Sequence, residues 1–384
     1  MNVVELLTEL VAIPSVNPGS LPEGHTSDGE QAMAEKVESV VRQIGAASVE
    51  VWQPLPGRPT VLAYFDFAAP RTLIFDAHLD TVPVEGMTVA PFTATHLDGK
   101  IFGRGACDVK GPMAAMLCAI NNVARTAAGA SAPRYNVLFA AVCDEESGFG
   151  GVSSFVNRLQ PGAYAPLAGA VIAEPTLLNV VAAHKGVLRW HIGTRGVAAH
   201  SSTPHLGSNA IYAMSQVIAR LQEYADQLAA ATPHAQLGSP SLSVGLIHGG
   251  SAVNIVPDFC EIQVDRRLIP GETLESATVD LWRQLDGLVA DVSSPIVAAP
   301  PMHTHSDSFL VKEALAAGRH AGAQPQIEYA NYCTDGSFYP ALNLPSIVTG
   351  PGSIAQAHTK DEWIEIDQLH KGVAAYEALI RGIE

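Results

Sequence analysis

Short runs of apolar residues recur along the chain at the length of β-strands. Residues 60–67, 72–77, 135–142, 168–173 and 346–349 are apolar on consecutive positions and rich in β-branched and aromatic side chains. Unbroken runs of this kind suit strands covered on both faces, whereas a half-exposed strand alternates. Helical spacing fills the intervals, over 27–45 and 111–127, and the first ten residues also read as a helix. Strands alternating with helices predict an α/β fold built on a doubly wound, mostly parallel sheet.

Between residues 178 and 298 the pattern changes. The stretch 180–195 is longer and partly alternating, as in Leu188, Arg189, Trp190, His191 and Ile192. A helix over 208–230 follows, then strands over 241–247 and 259–268, a helix over 274–289 and a strand near 295–299. The order βαββαβ is ferredoxin-like, an antiparallel sheet with two helices on one face. The expectation is therefore a main domain of residues 1–177 and 299–384, interrupted by an inserted α+β domain of residues 178–298. Residues 231–240, polar and with two prolines, read as an exposed loop.

Composition narrows the class. Of 384 residues, 47% are hydrophobic and 16% charged, which supports sizeable cores and excludes disorder. The net charge of −16 argues against nucleic acid or an anionic membrane as partner. Five cysteines without paired spacing read as reduced thiols of a cytosolic protein. The N-terminus lacks the basic segment of a signal peptide, and no apolar run reaches the ~18 residues of a membrane span. The chain reads as soluble and cytoplasmic.

Acids and histidines gather where the strands of the expected sheet end. Asp76, His78 and Asp80 close the second run; Asp144, Glu145 and Glu146 follow the third; Glu174 follows the fourth. His358 lies beyond the fifth, after the turn Gly350-Pro351-Gly352-Ser353, and Asp108 ends a glycine-rich loop before a helix. Ligands of open α/β sheets bind at the carboxyl ends of strands. Each residue alone suits a turn, a cap or a solvated pair. Jointly, so many acids at one rim would repel one another unless a cation neutralised them. Mixed imidazole and carboxylate donors suit zinc, with cobalt or manganese as substitutes.

The strings that surround these residues resemble one family. They are His78-Leu79-Asp80-Thr81-Val82-Pro83, Gly103-Arg104-Gly105 with Asp108-Val109-Lys110-Gly111, Asp144-Glu145-Glu146, Glu174-Pro175-Thr176, Ala199-His200-Ser201-Ser202, Asn254-Ile255-Val256-Pro257-Asp258, Asp265-Arg266-Arg267, and Gly350-Pro351-Gly352 leading to Ala357-His358-Thr359. In this order they resemble the di-zinc amidohydrolases that include acetylornithine deacetylase, succinyl-diaminopimelate desuccinylase, aminoacylase-1 and glutamate carboxypeptidase. The stretches Ala183-His184-Lys185-Gly186, Leu246-Ile247-His248-Gly249-Gly250 and Asn331-Tyr332-Cys333-Thr334 look most like the acetylornithine deacetylases. Asp335-Gly336-Ser337 is closer to the desuccinylases.

The resemblance implies two Zn2+ ions bridged by Asp108, with His78 and Glu174 completing one site and Glu146 and His358 the other. It implies Glu145 as the general base acting on a metal-bridging water, and Asp80 as the carboxylate that orients His78. The split of roles between Glu145 and Glu146 stays open from the sequence. The inserted domain would act as a lid with hinges near 178 and 298, and as a homodimerisation unit with an exposed sheet edge. His200 would stabilise the oxyanion, in its own site or across a dimer. Arg266 would hold the substrate carboxylate while Arg267 points to the opposite face, and Asn254, Thr334 and Gly336 would contact substrate. The implied reaction is hydrolysis of an N-acyl amino acid, N-acetylornithine on the way to arginine first among them. Desuccinylation and dipeptide or carboxypeptide cleavage are the alternatives.

Overall fold

The apolar run at 135–142 forms a strand buried along its entire length, and the sheet is built around it. In the computed structural model, residues 1–20, 29–126, 132–160 and 162–383 are described. Ser27, Asp28 and Ala127, at the ends of two expected helices, lie outside them.

The chain begins with α1 (Val3–Val11), α2 (Gly29–Ile44), β1 (Ser48–Leu55), β2 (Arg58–Phe65), β3 (Arg71–His78), β4 (Thr95–Leu97), β5 (Lys100–Phe102), α3 (Lys110–Thr126), β6 (Tyr135–Val142), α4 (Gly150–Arg158), β7 (Leu167–Ile172) and β8 (Val180–His184). It continues with β9 (Gly186–Arg195), α5 (Ala210–Ala230), β10 (Ser241–Gly249), β11 (Phe259–Leu268), α6 (Leu274–Leu285), β12 (Asp291–Val292) and β13 (Val297–Ala299). It closes with β14 (Met302–His303), α7 (Phe309–His320), β15 (Ile327–Ala330), β16 (Ser346–Val348), β17 (Trp363–Glu365) and α8 (Ile366–Arg381).

Two compact units result: Met1–Ala183 with His303–Tyr329 and Thr334–Glu384, and His184–Met302 with Ala330–Cys333. Among the described residues the main sheet of the first runs in the order β1-β2-β6-β3-β7-β16-β8-β14. Its centre is parallel: β3 pairs with β6 and β7, and β16 with β7. Antiparallel β2 and β1 extend one side. On one face of the parallel strands Leu73, Phe75, Val137, Phe139 and Val171 are buried beside Met113 and Leu117 of α3 and Tyr376 of α8, and on the other Ile74, Leu138 and Ala170 are buried as well. This is the doubly wound α/β architecture.

The second unit has the sheet order β10-β11-β9-β12, with β13 also on β9, all antiparallel. One face buries Trp190, Ile192, Ile262 and Val264 against Met214, Val217 and Leu221 of α5 and Leu281 of α6. Alternation is clean on β11, whose residues are buried at every second position. The single stretch expected over 180–195 is in fact two strands. Val180–His184 joins the large sheet and Gly186–Arg195 the small one. The break falls beside Gly186, where a Cβ would lie 2.6 Å from the Ala299 carbonyl oxygen. The helix expected to reach 289 stops at Leu285, ahead of Gly287 with φ of 80°.

Candidate metal centre

Three parallel neighbours, β6, β3 and β7, bring their carboxyl ends to one edge of the sheet. His78 is the last residue of β3 and pairs with Val142, the last of β6, so Glu145 and Glu146 emerge directly beside it. Asp76 pairs with Ile172 at the end of β7, two residues before Glu174. The turn before α3 delivers Asp108 to the same edge, and the segment after β16 delivers His358.

The geometry centres on Asp108. Its Oδ1 lies 3.1 Å from Nε2 of His78, and its Oδ2 lies 3.4 Å from Nε2 of His358. His358 also reaches Glu146, with Nε2 3.1 Å from Oε2. One donor atom each from His78, Asp108 and Glu146 lie within 4.8 Å of one another, an arrangement that could hold a cation. Asp108 thus offers one oxygen to each histidine, as a carboxylate shared between two sites would. Glu174 and Glu145 are buried within electrostatic reach of the same group.

Charge within this cluster is strongly perturbed. Burial pushes the carboxyls of Glu145, Glu146 and Glu174 up, and the negative charge of Asp108 adds to the rise for Glu146 and Glu174. Burial acts upward on Asp108 too, but hydrogen bonds from His358 and His78 hold it well below the ordinary carboxylate range. His358 is pushed up to about 10 by its contacts with Asp108 and Glu146. Burial opposes protonation of His78, yet Asp108, Glu145 and Asp80 together raise it well above its usual value. Buried acids that force their neighbouring imidazoles to stay protonated form the pocket a divalent cation would neutralise. The donors are nitrogen and oxygen, which fits zinc and its substitutes.

Asp80 is buried beside His78, and its backbone oxygen lies nearer the imidazole than its carboxylate does. Nδ1 of His78 lies 2.9 Å from the Asp80 backbone oxygen and 3.8 Å from Oδ1. The carboxylate instead accepts the backbone N–H of Glu145 (3.2 Å) and of Glu146 (3.0 Å) and the side-chain amide of Asn17 (2.6 Å). The first acid of the run 144–146 turns away. Asp144, in the left-handed region with φ of 71°, pairs with Arg58 at 2.6 Å, and Arg58 also binds Glu30. α4 begins directly below, because Gly151 lets it approach; a Cβ there would sit 2.3 Å from the Cys143 carbonyl oxygen.

Thr334 and Gly336 belong to the first unit and are buried in a short turn. Thr334 Oγ1 accepts the Gly336 N–H at 3.1 Å, and the Gly336 carbonyl accepts Ser346 Oγ at 3.3 Å. Between them Asp335 is buried, with Oδ1 lacking a hydrogen-bond partner among the described residues. His200, Asn254 and Arg266 belong to the second unit. His200 and Asn254 are neighbours there, since His200 bridges Ile255 and Ser201 N–H donates to the Asn254 carbonyl at 3.0 Å. Both side chains are exposed. Arg266 is 1% exposed, and its guanidinium bonds Glu272 and the Arg267 carbonyl. It faces the helices, whereas Arg267 stands half-buried on the other face, paired with Asp265 at 2.7 Å. Sequence reasoning passed over Asn17, Arg58 and Glu362. No periodicity marks them, and only their contacts reveal them.

Residues 74–382 match the model of peptidase family M20/M25/M40. The acetylornithine deacetylase of Photorhabdus laumondii is 32% identical over 381 residues, covering 94% of this chain and 92% of that relative. That of Proteus mirabilis is 31% identical with the same coverage. Among solved structures, an M20 family metallo-carboxypeptidase from Sulfolobus solfataricus superposes with a TM-score of 0.83 at 19% identity, covering 99% of both chains. A dinuclear metal-binding peptidase of the same family from Bacillus subtilis gives 0.68 at 15% identity, covering 99% of this chain and 97% of that one.

Proposed function

Because the chain belongs to peptidase family M20/M25/M40, we propose that it hydrolyses the amide bond of an N-acylated amino acid, with N-acetylornithine as the preferred substrate. The observation that carries this reading is the position of Asp108, one oxygen toward His78 and the other toward His358, in a nest of buried acids. Under this reading Asp108, His78 and Glu174 hold one ion and Asp108, Glu146 and His358 a second. Zinc is the natural occupant, and cobalt or manganese the substitutes. When bound, such a pair lowers the pKa of a water and polarises the acyl carbonyl.

Glu145 is the general base. It is adjacent to Glu146 but outside the group His78, Asp108 and Glu146, and its carboxyl, pushed up by burial, is suited to take a proton and return it to the departing amine. Asp80 holds the Glu145 and Glu146 backbones in place. For His200 we retain the role of oxyanion donor, and for Asn254 and the Thr334–Gly336 turn the contacts with substrate. Arg266, whose guanidinium is held by Glu272, keeps the expected carboxylate-binding role.

The second unit supports a homodimer. β10 is an edge strand with Leu246 and Ile247 exposed, and Ile211, Tyr212 and Val253 are exposed as well. Among the described residues no helix is long and apolar enough to cross a membrane. Cys107, Cys118, Cys143 and Cys260 are buried thiols, which supports a reducing, cytoplasmic setting.

A substrate panel tests the function. Metal-loaded protein is assayed for free amine released from N-acetylornithine, N-acetylcitrulline, N-succinyl-diaminopimelate and a set of dipeptides. The highest kcat/KM is expected for N-acetylornithine. A dipeptide cleaved faster than every acyl amino acid would overturn the proposal.

A further inference from the structure

We propose that Glu362, working with Arg104, is the positioning residue that fixes the Asp108 loop and so sets the affinity of the centre for its metal. The inference rests on Asp108 being a ligand, as proposed above. Glu362 is fully buried and its carboxylate is saturated. Oε1 accepts the backbone N–H groups of Cys107 (2.7 Å) and Asp108 (2.8 Å). Oε2 accepts the Gly105 N–H (3.0 Å) and Nη1 of Arg104 (2.8 Å). Three N–H groups of one loop therefore converge on a single carboxylate, which dictates how the Asp108 peptide is turned and where its side chain is aimed.

Arg104 extends the restraint. Its Nε donates to the Pro83 carbonyl at 3.0 Å and its Nη2 to the Thr359 carbonyl at 3.3 Å. Pro83 follows His78 on its loop, and Thr359 is the residue after His358. One buried ion pair thus ties together the segments that carry His78, Asp108 and His358. The His358 end needs such a tether, because its own backbone is in the left-handed region with φ of 57° and its side chain is 56% exposed. Neither Glu362 nor Arg104 is among the proposed ligands, so each acts only through the loops it holds. Partners of this kind commonly alter metal affinity by ~10–100-fold.

The full-length protein, stripped of metal, is titrated with Co2+ while its visible absorption is followed, and affinity is measured by competition with a chelator. Thermal melting of the metal-free proteins is recorded alongside. Glu362→Gln places an amide donor against the donors of Gly105 and Arg104, and should weaken Co2+ binding ~10–100-fold and change the cobalt spectrum. Arg104→Lys keeps the charge but loses the fork to Pro83 and Thr359. It should weaken binding in the same direction by a smaller factor, with metal-free melting close to wild type, and it decides the matter if Glu362→Gln fails to fold. Wild-type affinity and spectrum in Arg104→Lys, or in a folded Glu362→Gln, would overturn the inference. Wild-type protein that binds no cobalt would instead sink the metal reading itself, and this inference with it.

Discussion

The backbone N–H of Glu146 donates to Asp80 Oδ2 at 3.0 Å, so the residue two positions after one proposed metal ligand supports the main chain of another. Asp80→Asn turns one acceptor oxygen into an amide donor that faces the N–H groups of Glu145, Glu146 or Asn17. The fold should survive, while kcat drops ~10–100-fold and metal affinity weakens. Steady-state kinetics with metal analysis check this. Unchanged kcat would mean that Asp80 braces nothing the reaction needs.

Glu145 and Glu146 should separate cleanly. Glu145→Gln keeps the donors of the His78, Asp108 and Glu146 group, so bound metal should match wild type while kcat falls by at least ~100-fold. Glu146→Gln should lose metal instead. Elemental analysis of the two variants beside their kinetics decides, and the reverse pattern would exchange the two roles.

Chelation should abolish activity, and zinc or cobalt should restore it. Reloading should also raise the unfolding temperature, since a ligand that binds only the folded state stabilises by ~2.7 kcal/mol at a hundred times its Kd. Full activity in protein shown by elemental analysis to be metal-free would refute the dependence.

His184, at the end of β8, supplies one pH-dependent contribution to stability that can be separated from the centre. It is fully buried, and burial pushes its imidazole down to about 4. The unfolded chain takes up a proton there below about 6.5, whereas the folded chain does not until about 4. Its contribution is therefore intact above pH 6.5 and is lost as pH falls toward 4, by about 3 kcal/mol in all. Urea unfolding of metal-free protein at pH 7.5 and 4.5 should show that much less acid sensitivity in His184→Gln. An identical loss in both proteins would assign the acid sensitivity elsewhere.

His200→Ala should lower kcat far more than it raises KM, because an oxyanion donor acts in the transition state. Mixing His200→Ala subunits with Glu145→Gln subunits then asks which subunit's His200 serves a site. Recovered activity means the histidine acts in trans; none means it acts in cis. A protein that stays monomeric at assay concentration excludes the trans arrangement.

The strands that build the centre were legible because each is a largely buried apolar run with an acid or histidine at its end or two residues beyond, and Tyr135–Val142 has the bounds its pattern predicts. β1 was not, because it is an edge strand whose residues are exposed or half-buried and whose pattern carries little periodicity. Alternation on β11 correctly puts Arg266 and Arg267 on opposite faces, but periodicity does not say which face is buried. Glu272, which captures Arg266, lies beyond the strand in a turn. The contacts of Asp80 were not legible for a similar reason. A pattern two residues long reveals a neighbour of His78 but not that its backbone oxygen, instead of its carboxylate, meets the imidazole.

The place of β16 in the main sheet has a consequence for the order in which the protein is made. β16, residues 346–348, lies between β7 and β8, residues 167–172 and 180–184. On the ribosome the edge of β7 must wait for it through the synthesis of the whole intervening segment, roughly 10–35 s at ordinary elongation rates. During that interval β9 to β13 have every partner of their own sheet already in hand. The guest can therefore finish before its host, and the nascent chain carries an unpaired apolar strand edge throughout. Such an edge invites pairing with other chains until β16 arrives to cover it.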